Sequence, residues 1–396
     1  MAQATKQKPN KHSGKLLSIM LVLILAIGLM AGVIAITTTN RTKSYQACFL
    51  IKEGDVSCAN YDFSKINTTD LPQINGQNIT RITAAPNFSY YIAAIKGSGY
   101  RDDPKYLLDE NYNIVREINA TINTYDMLQT VWTKDGSFAF FHDDVGFLYR
   151  YNTATGEQNT LNDSRLESIK DETFEQNKRG DIGLLAMTPD EKLVFTVNDD
   201  MDDRYSLYTM DNDGTNPKQL VEDGYIANIA VRRNGDVLYS VDKTKESPED
   251  FGLCASEECQ LYSVNPKTAE SREITGDSIQ FWGFTYDAKT DTAFLVRGPG
   301  GSVKEVFSGN VDRLKTIEQA HRITLDGYAK AQGDYSLIPM GKTRLAIADA
   351  YKQSEGVKLY DLKSGKQQAA ITKQMLDVSH DSGGGVGFVR GAWKRQ

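Results

Sequence analysis

The sequence is short of the groups on which most enzyme chemistry relies. It has four histidines in 396 residues, and only His142, His321 and His380 follow the amino-terminal segment. There is no Gly-x-Ser-x-Gly elbow and no His-rich metal motif, so neither an elbow-type hydrolase nor a zinc site of ordinary spacing is indicated. His142-Asp143-Asp144 and His380-Asp381-Ser382 have the residue types of hydrolytic sites, but a triad is a matter of geometry and both fall in turns. Gly341-Lys342-Thr343 is not a phosphate loop, because a strand rather than a helix follows it. Positive charge is scarce as well. Lys and Arg total 45 against 52 Asp and Glu, a net charge of −7. Residues 1–43 hold six basic side chains and no acidic one, which leaves 39 basic against 52 acidic residues in the remainder. Such an acidic body argues against nucleic acid as a partner, since that contact depends on neutralising phosphates. A cationic protein surface, a neutral glycan and a divalent metal stay open.

Long apolar runs are absent with one exception. Leu16 to Ile36 is 21 residues without a charge, which as a helix spans about 31 Å and matches the hydrocarbon thickness of a bilayer. Residues 16–37 are therefore expected to be a transmembrane helix. Lys6, Lys8, Lys11 and Lys15 precede it, and the positive-inside rule places residues 1–15 in the cytoplasm and the bulk of the chain outside the cell membrane. Val33 and Ala35 have the small-residue spacing of a signal-peptide cleavage site, but the run exceeds an ordinary signal core, so an uncleaved anchor is favoured. Within the run Gly28 and Gly32 form Gly-x-x-x-Gly, a spacing that lets two helices approach closely and would support a homodimer.

Only four cysteines occur, as Cys48 with Cys58 and Cys254 with Cys259. An even number in close pairs suggests two local disulfides in an oxidising compartment. Six Asn-x-Ser/Thr triplets begin at Asn40, Asn67, Asn78, Asn87, Asn119 and Asn162, which would mark glycosylation in a eukaryotic secreted protein.

What the sequence does contain is a repeated phrase: an apolar strand, a polar turn, and a second apolar strand. The copies are TAAPNFSYYIAAI from Thr83, TVWTKDGSFAFF from Thr130, LLAMTPDEKLVFTV from Leu184, NIAVRRNGDVLYSV from Asn228, FWGFTYDAKTDTAFLV from Phe281 and YSLIPMGKTRLAIA from Tyr335. Their turns fall at Asn87, Asp135, Asp190, Asn234, Asp287 and Gly341, spaced by 48, 55, 44, 53 and 54 residues. A third strand with a recurring Leu-Tyr follows each, then a short edge strand such as NIVREI, EQNTL, KQLVE, SREIT, LKTIE or QQAAIT. Four strands per repeat at this period read as the blades of an all-β propeller. The ends are complementary. ACFLIKEGDVSCANYDFSKI from Ala47 reads as the second and third strands of a blade without its first, and VGFVRGAW from Val386 as a lone strand. Joined, they complete a seventh blade and remove the open sheet edge. The expected layout is residues 1–15 cytoplasmic, 16–37 transmembrane, 38–46 linker and 47–396 propeller. Two stretches break the rhythm: Asp163 to Arg179 reads as a short surface helix, and Ala320 to Gly333, with His321 and Tyr328, as a long loop.

The phrases resemble the TolB-type, WD40-like propeller repeat, with TPDEKLVFTV…SLYTMDNDGTNPKQLVED, Thr188 to Asp223, as the best copy. That resemblance implies an envelope or extracytoplasmic interaction scaffold; the peptidase domain borne by some members is not present. The densest acidic cluster, Asp199, Asp200, Asp202 and Asp203, lies in the hairpin between two strands of one blade. Carboxylates this close are either solvated or shared with a hard cation such as calcium. The expectation is therefore a membrane-anchored, extracytoplasmic scaffold that binds a protein or envelope polymer and needs no cofactor. A lactonase- or lyase-type propeller enzyme with a calcium-dependent funnel site is the alternative.

Overall fold

Strands assemble four at a time into seven antiparallel sheets. The computed structural model describes residues 47–52, 55–60, 62–95, 103–119, 130–142, 147–161, 181–198, 205–243, 254, 258–276, 279–298, 302–316, 319–330, 337–348, 357–371 and 387–388. The first blade holds β1 (Ala47–Lys52), β2 (Asp55–Ala59) and β3 (Ile66–Asp70). Blade 2 is β4 (Ile79–Ala84), β5 (Tyr90–Ile95), β6 (Lys105–Asp109) and β7 (Ile114–Ile118). Blade 3 is β8 (Val131–Trp132), β9 (Phe138–His142), β10 (Leu148–Asn152) and β11 (Gln158–Thr160). Blade 4 is β12 (Asp181–Met187), β13 (Leu193–Asn198), β14 (Tyr205–Met210) and β15 (Lys218–Gly224). Blade 5 is β16 (Ile226–Val231), β17 (Val237–Asp242), β18 (Cys259–Val264) and β19 (Ser271–Glu273). Blade 6 is β20 (Gly283–Asp287), β21 (Thr292–Arg297), β22 (Ser302–Asn310) and β23 (His321–Lys330). Blade 7 is β24 (Leu337–Pro339), β25 (Arg344–Ala348), β26 (Val357–Asp361) and β27 (Gln367–Ile371). The last strand, β28 (Gly387–Phe388), returns to the first blade and pairs with β1, Phe49 opposite Phe388 and Leu50 opposite Gly387. The complementary ends of the sequence therefore meet as expected.

The middle strands are apolar on both faces because each blade packs against two neighbours. In β13, Leu193, Phe195 and Val197 point toward blade 3 with Phe140 and Leu148, while Val194 points toward blade 5 with Ile229 and Val237. The period-2 alternation of a strand thus sorts its residues between two joints rather than between core and water. The blade 5–6 joint closes over Phe281, Phe284 and Phe307, and the blade 6–7 joint over Trp282, Val306 and Tyr360. At about 25 cal/mol per Å² of apolar area, joints of this kind supply most of the stabilisation of a repeat fold. The recurring Leu-Tyr has a packing reason. Tyr208 lies opposite Phe195 and Tyr262 opposite Tyr239 across neighbouring strands, with ring centroids 5.9 Å and 5.3 Å apart. Aromatic cross-strand pairs of this type stabilise a sheet beyond their area.

Blade 6 departs from the sequence reading. Its outer strand is not Leu314–Glu318 but His321–Lys330, the stretch expected to be a loop. Val311–Arg313 forms a 3-10 turn, and Leu314 after it is fully buried, so that segment serves the joint rather than the sheet edge. The nine-residue β22 is matched by a ten-residue β23, with Ile323 opposite Val306 and Thr324 opposite Glu305, and the register shifts before Ala329 meets Val303. Asp326-Gly327, with Gly327 at φ +86°, has the look of a turn in the sequence and acts here as an irregularity inside a strand. The first blade also carries an outer strand, β3, that the repeat pattern did not single out.

Candidate interaction face

Consecutive strands of a meander run antiparallel, so its links alternate between two ends. The links between first and second strands, and between third and fourth, share one end of the ring. The links between second and third strands, and from blade to blade, share the other. The two ends are built differently.

The first end, here the turn end, is a row of short turns closed by their own side chains. Asn87, Asp135, Asn234 and Asp287 each accept a hydrogen bond at Oδ1 from the amide two residues on, at 3.0 Å in every case. Asp109, Asn152, Asp213, Asn265 and Asp361 repeat the arrangement between third and fourth strands, at 2.8–2.9 Å. This Asx geometry is why Asp and Asn recur at blade period in the sequence. The Ser137 amide, then the Thr133 hydroxyl, hold the Asp135 carboxyl below its ordinary range.

From blade 2 to blade 7 the same turns bond each blade to the next. Asn87 Nδ2 donates to Asp135 O at 2.7 Å and Arg116 Nη2 to Ala154 O at 2.8 Å, joining blades 2 and 3. Lys134 N donates to Glu191 Oε1 at 3.0 Å across the next joint. Lys218 Nζ reaches the carbonyls of Pro266 and Lys267 in blade 5. Asp326 N donates to Gly365 O at 2.8 Å, and His321 Nε2 to Leu362 O at 2.6 Å, joining blades 6 and 7. Asp62 in the first blade is held low by the Ser64 hydroxyl and amide, with the charge of Arg344 in blade 7 adding to them.

One of these joints is ionic and lies between blades 5 and 6. The Arg232 side chain is 5% exposed and donates to both oxygens of two carboxylates: Nε and Nη2 to Asp291 at 3.1 and 2.7 Å, Nη1 and Nη2 to Asp312 at 3.2 and 3.1 Å. Arg272 Nη2 meets Asp312 from outside at 2.5 Å, and the Tyr286 hydroxyl donates to Asp291 at 2.7 Å. Burial pulls the Arg232 guanidinium down, but bonds from Asp291 and Asp312 outweigh it and leave it raised. Burial likewise pushes the Asp291 carboxyl up, and bonds from Arg232 and Tyr286 reverse that to a net lowering. Asp312 is lowered by Arg232 first and Arg272 second. Every charged group of this clamp has a partner of opposite sign within it.

The second end, the connection end, is where the long links of the chain leave the strands. Its described part carries ionisable side chains buried at strand ends: Lys105 where β6 begins, His142 where β9 ends and Asp242 where β17 ends, at 2%, 4% and 1% exposure. Each of them has an interaction partner, as side chains this deeply buried require. Cys254 and Cys259 are joined by a disulfide at this end, their Cα atoms 5.8 Å apart, within the ordinary range. Their amides donate to Trp282 O and Phe281 O of blade 6, both at 2.8 Å. Cys58 is also disulfide-bonded, and its Cα partner across the β1–β2 pair is Cys48.

Other sequence-predicted positions do not enter this geometry. Asp199, Asp200, Asp202 and Asp203, the calcium candidates, lie outside the described residues, as do residues 16–37 with Gly28 and Gly32. So does the expected helix at 163–179. Among the described residues no group of three or more His, Cys, Asp or Glu could hold a metal. No helix among them is long and apolar enough to cross a membrane. His142 ends β9 and is buried there rather than lying in a turn, and His380 lies outside the described residues. Sequence reasoning missed Lys105, Asp242 and Arg232. A Lys opening KYLLDEN, an Asp ending LYSVD and an Arg in AVRRNG each look like solvated strand ends, and nothing local marks them as buried.

No family model matches the chain, and no curated protein does. Solved structures similar to it include TolB from Acinetobacter baumannii, at 12% identity and TM-score 0.43 over 71% of this chain. The chain spans 63% of that protein's length. The C-terminal WD40 domain of Sif2 is 14% identical with a TM-score of 0.47, covering 79% of this chain and 76% of that one. A putative TolB from Agrobacterium tumefaciens is 13% identical with a TM-score of 0.41, covering 73% and 92%. With TM-scores below 0.5 these likenesses add nothing to the propeller fold, which the seven sheets and the pairing of β28 with β1 establish.

Proposed function

We propose that this chain is a membrane-anchored, extracytoplasmic propeller that binds a protein or envelope polymer through its connection end. The observation that carries this reading is the asymmetry of the ring. At the turn end the side chains of Asn87, Lys134, Lys218, Arg232 and His321 are engaged in holding blade to blade, and a surface so engaged has little left to offer a partner. The long links of the chain leave the ring at the other end, where variable loops on a rigid scaffold ordinarily carry recognition. The acidic balance of residues beyond 43 suits a partner with a basic or neutral surface. The anchor and the extracytoplasmic location rest on the apolar run Leu16 to Ile36 and the lysines before it.

Proximity labelling of the intact protein in its native membrane, against a control bearing residues 1–46 alone, tests this. A small reproducible set of neighbouring proteins supports the scaffold reading. Charge substitutions at exposed turn-end positions such as Asn111 and Lys363 should leave that set unchanged. Labelling no different from the control sinks the protein-scaffold reading.

A further inference from the structure

Two Asn-Gly pairs sit in exposed turns, Asn75-Gly76 and Asn234-Gly235. Asparagine before glycine is open to an intramolecular reaction. The backbone nitrogen of the glycine attacks the Asn side-chain carbonyl carbon and closes a five-membered succinimide. Ammonia leaves with the side-chain nitrogen, carrying the proton given up by the amide. Water then opens the ring at either carbonyl, giving aspartate or a β-linked isoaspartate. No oxidant or reductant takes part, and the absence of a glycine Cβ leaves the approach unhindered.

The fold treats the two pairs differently. Gly235 N already donates to Arg232 O at 2.9 Å. Asn234 Oδ1 accepts from Asp236 N at 3.0 Å and its Nδ2 donates to Asp236 Oδ2 at 2.8 Å. Nucleophile and electrophile are both tied, and reaction there requires those bonds to break. In the other turn the two backbone bonds run between Ile74 and Gln77, each 2.9 Å, and skip the central residues. Asn75 and Gly76 occupy the left-handed region, at φ +52° and +76°, and a Cβ on Gly76, as on Gly235, would meet nothing within 4 Å. The one bond at the reacting groups is from Asn75 Nδ2 to the Tyr106 hydroxyl, at 3.2 Å.

This turn links the first blade to blade 2. Ile74 is fully buried beside Leu71, Ile79 and Leu108 in the core of that joint. An isoaspartyl link adds a backbone methylene between positions 75 and 76, which a two-residue turn cannot absorb without losing the Ile74–Gln77 pairing. We propose that Asn75 is a site of spontaneous deamidation and isomerisation that ages the joint between the first and second blades, and that the fold protects Asn234 from the same reaction. As a blade-to-blade link the turn lies at the connection end, but the reaction at Asn75 requires no partner there.

The purified full-length protein, incubated in heavy-oxygen water at neutral pH and physiological temperature, gives the test by peptide mass spectrometry. The rate at Asn75 divided by that at Asn234 is measured in the native state and again in urea. The expected native ratio exceeds the unfolded ratio by about two- to twelvefold, the range that one net hydrogen bond corresponds to. A native ratio equal to or below the unfolded one overturns the proposal. The isoaspartyl fraction, separated from fresh protein, should melt below it; identical melting overturns the link to the joint.

Discussion

Replacing Arg232 with methionine removes four hydrogen bonds and the central positive charge of the blade 5–6 clamp while keeping most of the aliphatic volume. The loss is set by what remains. Asp291 keeps Tyr286 and Asn310, and Asp312 keeps Arg272, so neither carboxylate is stranded. Breaking a fully buried pair costs about 3–5 kcal/mol, but these carboxylates are 29% and 51% exposed, and solvent screening reduces the figure to about 2–3 kcal/mol. For a propeller of about 350 residues, an unfolding entropy of about 2 cal/mol/K per residue converts this to a fall in Tm of roughly 3–4 °C. Calorimetry on the wild type and Arg232→Met measures it directly. The pH dependence identifies the source. Asp291 and Asp312 have folded pKa values below the ordinary 3.8, so their contribution is present above that pH and is lost as pH falls through the lowered values. The difference between the two proteins should hold constant from neutral pH to about pH 5 and shrink below pH 3.8. A Tm change under about 1 °C, or a difference that persists in strong acid, would refute the assignment of the clamp.

Glycine substitutions separate backbone strain from crowding. Gly365, at φ +73°, would place a Cβ against the Thr324 carbonyl of the neighbouring blade, so Gly365→Ala should cost roughly 2–5 kcal/mol in urea unfolding. Gly235 has a similarly positive φ, +94°, in open space, and Gly235→Ala should cost only about 1–2 kcal/mol; equal losses would mean that the inter-blade contact is unimportant. Removing the Cys254–Cys259 bridge with paired serines should cost about 2 kcal/mol, given the short loop that it closes. No change in thermal stability would show that the bonds to Trp282 and Phe281 hold the segment alone. Deleting residues 386–396 leaves the first blade without its inner strand, so the chain should unfold at lower urea and with a smaller slope, whereas an unchanged transition would contradict ring closure.

The ring was legible because its signals are periodic. The turn residues from Asn87 to Gly341 each mark a link between first and second strands, and the Asx bonds of the turn end explain why an Asp or Asn stands at most of them. Closure was legible because an orphan strand at each end is complementary only if the two pair. What escaped notice was non-local. His321–Lys330 carries Asp-Gly and a polar alternation that suit a loop, and it becomes a strand because β22 needs a partner of its length. Arg232 gives no local sign that blade 6 will bring Asp291 and Asp312 to it, since the three residues meet only when two blades pack. The calcium candidates Asp199, Asp200, Asp202 and Asp203 lie outside the described residues; the described connection end buries Lys105 and Asp242, which looked like solvated strand ends, and His142, which looked like part of a turn.

The two distinct ends exist only if the seven blades close into a ring. The most direct test replaces Phe388 with a benzophenone-bearing phenylalanine in the full-length protein, illuminates it, and maps the cross-linked peptides. The pairing of Phe388 with Phe49 predicts intramolecular cross-links concentrated in residues 47–52. Cross-links that map to another blade, or only between molecules, would contradict the closure and with it the division of the ring into a bonding end and a binding end.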